Sequence, residues 1–64
     1  MPLVTINVLE NVFSDLQKKE IIERVTDTLA SIEGESMRSL IWVVIDEVPE
    51  GNWGVGGQAL NHDP

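Results

Sequence analysis

The sequence predicts an α/β fold: a single βαβ unit followed by a short C-terminal β-hairpin. Three observations carry that reading. Residues 3–9 alternate Val4, Ile6 and Val8 against Thr5 and Asn7, the period of a strand with one buried face. Ile21, Ile22, Val25, Leu29 and Ile32 recur at spacings of three and four, the stripe of an amphipathic helix. Residues 40–45 form an uninterrupted apolar run between polar neighbours, which suits a strand buried on both faces of a parallel sheet. Strand, helix and strand in that order imply a right-handed crossover.

Each element has a local signal. The first strand starts just after Pro2 and gives way to a short connection from Glu10 to Phe13. Ser14-Asp15-Leu16-Gln17 reads as a capping box, in which Ser14 and Gln17 satisfy each other's backbone donors. The helix then runs roughly nineteen residues, with Glu20 and Arg24 paired on its outer side. Gly34 is placed to end it in a left-handed conformation. After the second strand, Val48-Pro49-Glu50-Gly51 fits a type I turn, and Gly54-Val55-Gly56-Gly57 supplies the turn of the hairpin.

The 64 residues make one domain, 1–64. A chain this short buries only about 60% of its unfolded surface and needs a further source of stability. Cysteine is absent, which excludes disulfides, thiolate metal sites and cysteine nucleophiles. The one histidine, His62, stands near the chain end and reads as a tail residue, so no histidine metal cage is expected within one chain. Association with further copies remains. One helix covers one face of a two-stranded sheet, and the other face, carrying Trp42 and Val44, is expected to be buried against another chain. A formal net charge of −7 and a pI near 4.2 argue against nucleic acid or anionic membranes as partners. No apolar run approaches a membrane span, and Met1-Pro2-Leu3 lacks the basic start of a signal peptide. The expected setting is the cytoplasm.

The familiar catalytic signals fail. The glycines at 51, 54, 56 and 57 have neither a strand leading in nor a helix leading out, so they are turn residues and not a phosphate loop. Ser14, Ser31, Ser36 and Ser39 have no histidine partner within the fold. Asp46, Glu47 and Glu50 read as solvated acids at a strand end. Pro2 is different. Removal of Met1 exposes a secondary amine at the chain start, and an α-amino group titrates at roughly 7.7–8.0, against about 10.4 for lysine. Burial beside an apolar wall lowers that value further. A base poised near neutrality is what proton abstraction requires.

Met1-Pro2 leading into a strand that ends Val8-Leu9-Glu10, the helix start Ser14-Asp15-Leu16-Gln17-Lys18, the run Asp46-Glu47-Val48-Pro49 and the tail Asn52-Trp53-Gly54-Val55-Gly56-Gly57 together resemble the tautomerase superfamily. The match is to its 4-oxalocrotonate tautomerase-like small subunits, and it covers the chain nearly end to end. The resemblance implies a βαβ subunit packed in dimers, commonly a trimer of dimers, and so a homohexamer. It also implies cofactor-free and metal-free isomerase chemistry, with Pro2 as the base that moves a proton in a small enol or α-keto acid. Trp53 matches the aromatic wall of the site. Two family arginines have no counterpart here. The loop Glu10-Asn11-Val12-Phe13-Ser14 is one residue longer than the family's Glu-Gly-Arg-Ser and lacks its arginine, and the second-strand position is Trp42. Arg38, just before that strand, is a candidate replacement from a neighbouring subunit, and Trp42 offers a single indole donor. Two alternatives stay open. One is a superfamily hydratase or dehalogenase acting on an unsaturated acid, and the other is a non-catalytic oligomer that has lost the substrate-binding arginines.

Overall fold

The computed structural model describes residues 2–60; Met1 and His62 lie outside the described residues. Strand β1 (Leu3–Leu9) is followed by helix α1 (Asp15–Glu33), a 3₁₀ helix (Glu35–Leu40), strand β2 (Trp42–Val48), a second 3₁₀ turn (Glu50–Asn52) and the short strands β3 (Gly54–Val55) and β4 (Gln58–Ala59). β1 and β2 pair in parallel from Leu3↔Trp42 to Leu9↔Val48, and β3 and β4 pair antiparallel. The β-α-β order with a small strand pair is therefore present.

Local chemistry explains the clean boundaries. The Ser14 hydroxyl accepts from the Gln17 N–H at 3.1 Å, and the Ser14 N–H donates to Gln17 Oε1 at 2.9 Å, completing the reciprocal cap. Gly56 and Gly57 have φ of 60° and 84°, the pair of left-handed residues that a type I′ hairpin turn requires.

Four expectations are corrected. β2 spans Trp42–Val48 and not residues 40–45, because its extent follows the ladder with β1 and not the apolar run. Asp46 faces Asn7 in that ladder, and Glu47 is reached from the helix by Lys18. Leu40 belongs to the preceding 3₁₀ helix, which the apolar pattern did not reveal. Gly34 does end α1, its N–H donating to the Ala30 carbonyl, but at φ 120° and ψ 140°, outside the left-handed helical well though still a conformation suited to glycine. The turn after β2 starts one residue later than expected. Pro49 is extended, at φ −60° and ψ 147°, and its carbonyl accepts from the Asn52 N–H.

The core is thin. Val4, Ile6, Val43 and Ile45 on the strands and Ile21, Val25 and Leu29 on the helix are each half-buried, and Ala30 is the one fully buried residue among those described. Ile32, placed on the apolar stripe by its spacing, is 79% exposed near the helix end. The other face of the sheet is open: Leu3, Trp42 and Val44 are 63%, 55% and 43% exposed. The radius of gyration is 15.0 Å, against about 11 Å for a compact domain of this length. The accessible surface is 4886 Å², against about 4,100 Å² for a compact monomer of this mass.

Candidate active site

Pro2 stands half-buried at the head of β1. Its carbonyl accepts from the Trp42 backbone N–H at 3.0 Å, so the parallel ladder fixes the residue next to the start of β2. Proline has no N–H to offer a ladder and is at home at the first place of a strand. Leu3 and Trp42 are register partners, and their side chains lie on the open face immediately beyond Pro2.

Arg38 lies at the same end, in the 3₁₀ helix that leads into β2. Its Nε and Nη2 donate to the two Glu35 carboxylate oxygens at 2.9 and 3.0 Å, and its Nη1 donates to Asp27 at 2.7 Å. The hydrogen bonds to Glu35 and then Asp27 raise the guanidinium pKa above its already high value, and the same contact holds the Glu35 carboxyl below the usual carboxylate range. All three guanidinium nitrogens are thus engaged within the chain. The spacing of Glu35 and Arg38 hinted at this pair, but the contact with Asp27 on α1 is set by tertiary packing and had no local signal.

Trp53 is at the other end. β2 carries the chain about 20 Å away from Pro2 at roughly 3.3 Å per residue, and Trp53 follows beyond Val48. There its N–H donates to the Glu50 carbonyl at 3.1 Å and its carbonyl accepts from Leu60 at 2.7 Å, which ties the hairpin back to the turn. Glu10 accepts from the Glu50 N–H at 3.4 Å. Lys18 bridges Glu47 at 2.9 Å and Asp15 at 3.3 Å; Glu47 first and Asp15 second raise its pKa. Glu47, read from sequence as a solvated strand-end acid, is therefore a partner of Lys18. Within the chain the backbone joins Trp42 to Pro2, the Arg38 guanidinium turns to Glu35 and Asp27, and Trp53 follows the far end of β2. The grooves beside α1, of about 220 and 360 Å³, are lined by Phe13, Gln17 and Ile21 and by Val4, Val25 and Leu29 respectively, and neither includes Pro2.

A parallel βαβ unit with a proline at the head of its first strand and an exposed sheet face defines the class: a small α/β protein. The family model described as "Tautomerase enzyme" matches residues 2–63. A probable tautomerase of Dickeya dadantii is 37% identical over 60 residues, covering 94% of this chain and 88% of the relative. The 2-hydroxymuconate tautomerase of Pseudomonas putida is 38% identical over 58 residues, covering 89% and 87%. Among solved structures, a 4-oxalocrotonate tautomerase isozyme from Methylibium petroleiphilum superposes with a TM-score of 0.77 at 31% identity, covering 91% of this chain and 90% of that one. This chain belongs to the tautomerase family, in its 4-oxalocrotonate tautomerase-like branch. Tautomerases are isomerases, and that class of activity is the one the family and its relatives support. Among the described residues, no helix is long and apolar enough to cross a membrane.

Proposed function

We propose that the protein is a tautomerase acting on a small enol or α-keto acid, with the Pro2 nitrogen, freed by removal of Met1, as general base. The observation that carries this is the position of Pro2: half-buried, pinned through its carbonyl to Trp42, and followed by the apolar side chains of Leu3 and Trp42. A secondary amine in such surroundings is favoured in its neutral form. It removes a proton from the enol oxygen or the carbon next to the carbonyl and returns it at the other position. The charge that develops on oxygen requires a donor, a role we assign to the Trp42 indole N–H. No cofactor or metal is needed for such a proton shuttle.

The separation of Pro2 from Trp53 makes the site composite. Trp53 closes over a Pro2 only when it comes from a neighbouring copy, and the exposed sheet face supplies the surface for association. A homo-oligomer, dimer or hexamer, is therefore part of the proposal, as is a cytoplasmic setting. Intact-mass measurement with steady-state kinetics tests it. Active protein should lack Met1, and Pro2→Ala should lower kcat by on the order of 10²–10⁴ without changing assembly. Activity in protein that retains Met1, whose Pro2 nitrogen is an amide without a basic lone pair, would rule the base out.

A further inference from the structure

The amine of Pro2 is only as well placed as the start of β2 that holds it. In the chain without Met1 the nitrogen stands two bonds from the Pro2 carbonyl carbon, and that carbonyl accepts from the Trp42 backbone N–H at 3.0 Å. Trp42 opens β2 just after the 3₁₀ helix Glu35–Leu40. The last bond of that helix runs from the Ile41 N–H to the Arg38 carbonyl at 3.2 Å. The position of the base is therefore inherited from this short helix.

The short helix has little of its own to hold it. Six residues is long for a 3₁₀ helix, whose hydrogen bonds are poorly aligned. None of its residues is buried, and Met37 is the only one half-buried. It leaves α1 through Gly34 at φ 120°, a permissive link open to glycine. Its polar fastening to α1 is the Arg38 side chain. Nε and Nη2 donate to the Glu35 carboxylate at 2.9 and 3.0 Å within the short helix, while Nη1 reaches Asp27 on α1 at 2.7 Å. A lone exposed ion pair adds little stability. A two-pronged grip on one carboxylate, joined to a second acid on another element, is the arrangement in which such pairs count.

We propose that Arg38 is a positioning residue for Pro2: its clasp on Asp27 fixes the 3₁₀ helix against α1, and through the backbone of Ile41 and Trp42 it fixes the chain start. The inference rests on the reading of Pro2 as the base. It gives Arg38 a role that needs no contact with substrate, in place of the direct role suggested by its position in the sequence. A misplacement of about 1 Å costs about 10²-fold in rate, so a distant tether of this kind has leverage on turnover.

The test uses Asp27→Asn and Arg38→Gln, singly and together, in protein shown by mass to lack Met1, with 2-hydroxymuconate as the enol. Each substitution should lower kcat by about 10–10²-fold while KM stays within about twofold. The double variant should be no slower than Arg38→Gln alone, because both changes break the same clasp. Arg38→Lys, which keeps the charge without the two-pronged grip, should restore only part of kcat. In a Pro2→Ala background the same substitutions should leave the residual rate unchanged. Hydrogen exchange gives a readout that needs no turnover, and it decides the point should 2-hydroxymuconate prove a slow substrate. The Trp42 amide, bonded to the Pro2 carbonyl, should exchange about tenfold faster in both variants. The Glu10 amide, bonded to the Val48 carbonyl at the far end of the ladder, should keep its rate. Equal acceleration at both ends would overturn the proposal, since the substitutions would then loosen the whole fold. So would wild-type kcat in Asp27→Asn beside a raised KM in Arg38→Gln, which would mean that the arginine meets the substrate itself. Loss of activity in Pro2→Ala beside wild-type clasp variants would strike the clasp and leave the base. Full activity in Pro2→Ala would sink the reading of Pro2 and this inference with it.

Discussion

Replacing Val44 by glutamate puts a carboxylate in the middle of the open sheet face, opposite Thr5 and between Trp42 and Asp46 along one side of β2. In a lone subunit this is a surface change, since Val44 is already 43% exposed, and surface changes cost within about 0.5 kcal/mol. In an assembly that covers the face, the same carboxylate is buried without a partner, at about 3–5 kcal/mol. The surface beyond that of a compact monomer, about 800 Å², equals the share each partner buries in a standard interface. The expected outcome is a dissociation constant raised by about a hundredfold to a few thousandfold. Equilibrium sedimentation at low micromolar concentration measures it directly. Thermal unfolding at several protein concentrations gives a second reading, because the Tm of an associating protein rises with concentration, and the variant should lose most of that dependence. Wild-type protein sedimenting at 7.1 kDa in the low micromolar range, or a variant associating as tightly as wild type, would refute the reasoning.

Gly34→Ala should destabilise by about 1–3 kcal/mol: no heavy atom lies within 4 Å of an added Cβ, but φ is +120°, so the cost is backbone strain alone. A shift in urea midpoint measures it, and an unchanged midpoint would mean that the helix end relaxes to negative φ at no cost. The second prediction concerns acid. Arg38 depresses the Glu35 pKa below the ordinary 4.5, so the unfolded chain takes up this proton first. The contribution is fully present above pH 4.5 and is lost as pH falls from there through the lower folded value. Glu35→Gln should remove that part of the acid sensitivity, as seen in melting temperatures below pH 4.5; an unaltered acid limb would show that the pair adds no pH dependence.

Signals that act within a few residues were legible in the sequence. The alternation of residues 3–9 gave β1 as it stands, and the reciprocal cap of Ser14 and Gln17 gave the helix start. The exposed face of Trp42 and Val44 followed from counting one helix against two faces. What depended on the fold's own geometry was hidden. The end of β2 at Val48 is set by the ladder to Leu9, and the first 3₁₀ helix by a chain reversal that closes when the Ile41 N–H meets the Arg38 carbonyl. Arg38 looked available because Asp27 is eleven positions away in sequence. The chemistry of Pro2 was legible from residue type, and the pairing of its carbonyl with Trp42 was not.

The hydrogen bond from Trp42 to the Pro2 carbonyl separates how the chain start is held from what its nitrogen does. The carbonyl side of Pro2 anchors the strand, while the nitrogen side, having no hydrogen as an amide, contributes nothing to the ladder. The Pro2 nitrogen therefore gives the ladder no hydrogen bond that cleavage of the preceding peptide bond would remove. An amino-terminal affinity tag would leave the bond from Trp42 to the Pro2 carbonyl available, so folding assays would report a healthy protein. On the proposed chemistry such a preparation would nonetheless be silent, and tags belong at the carboxyl end.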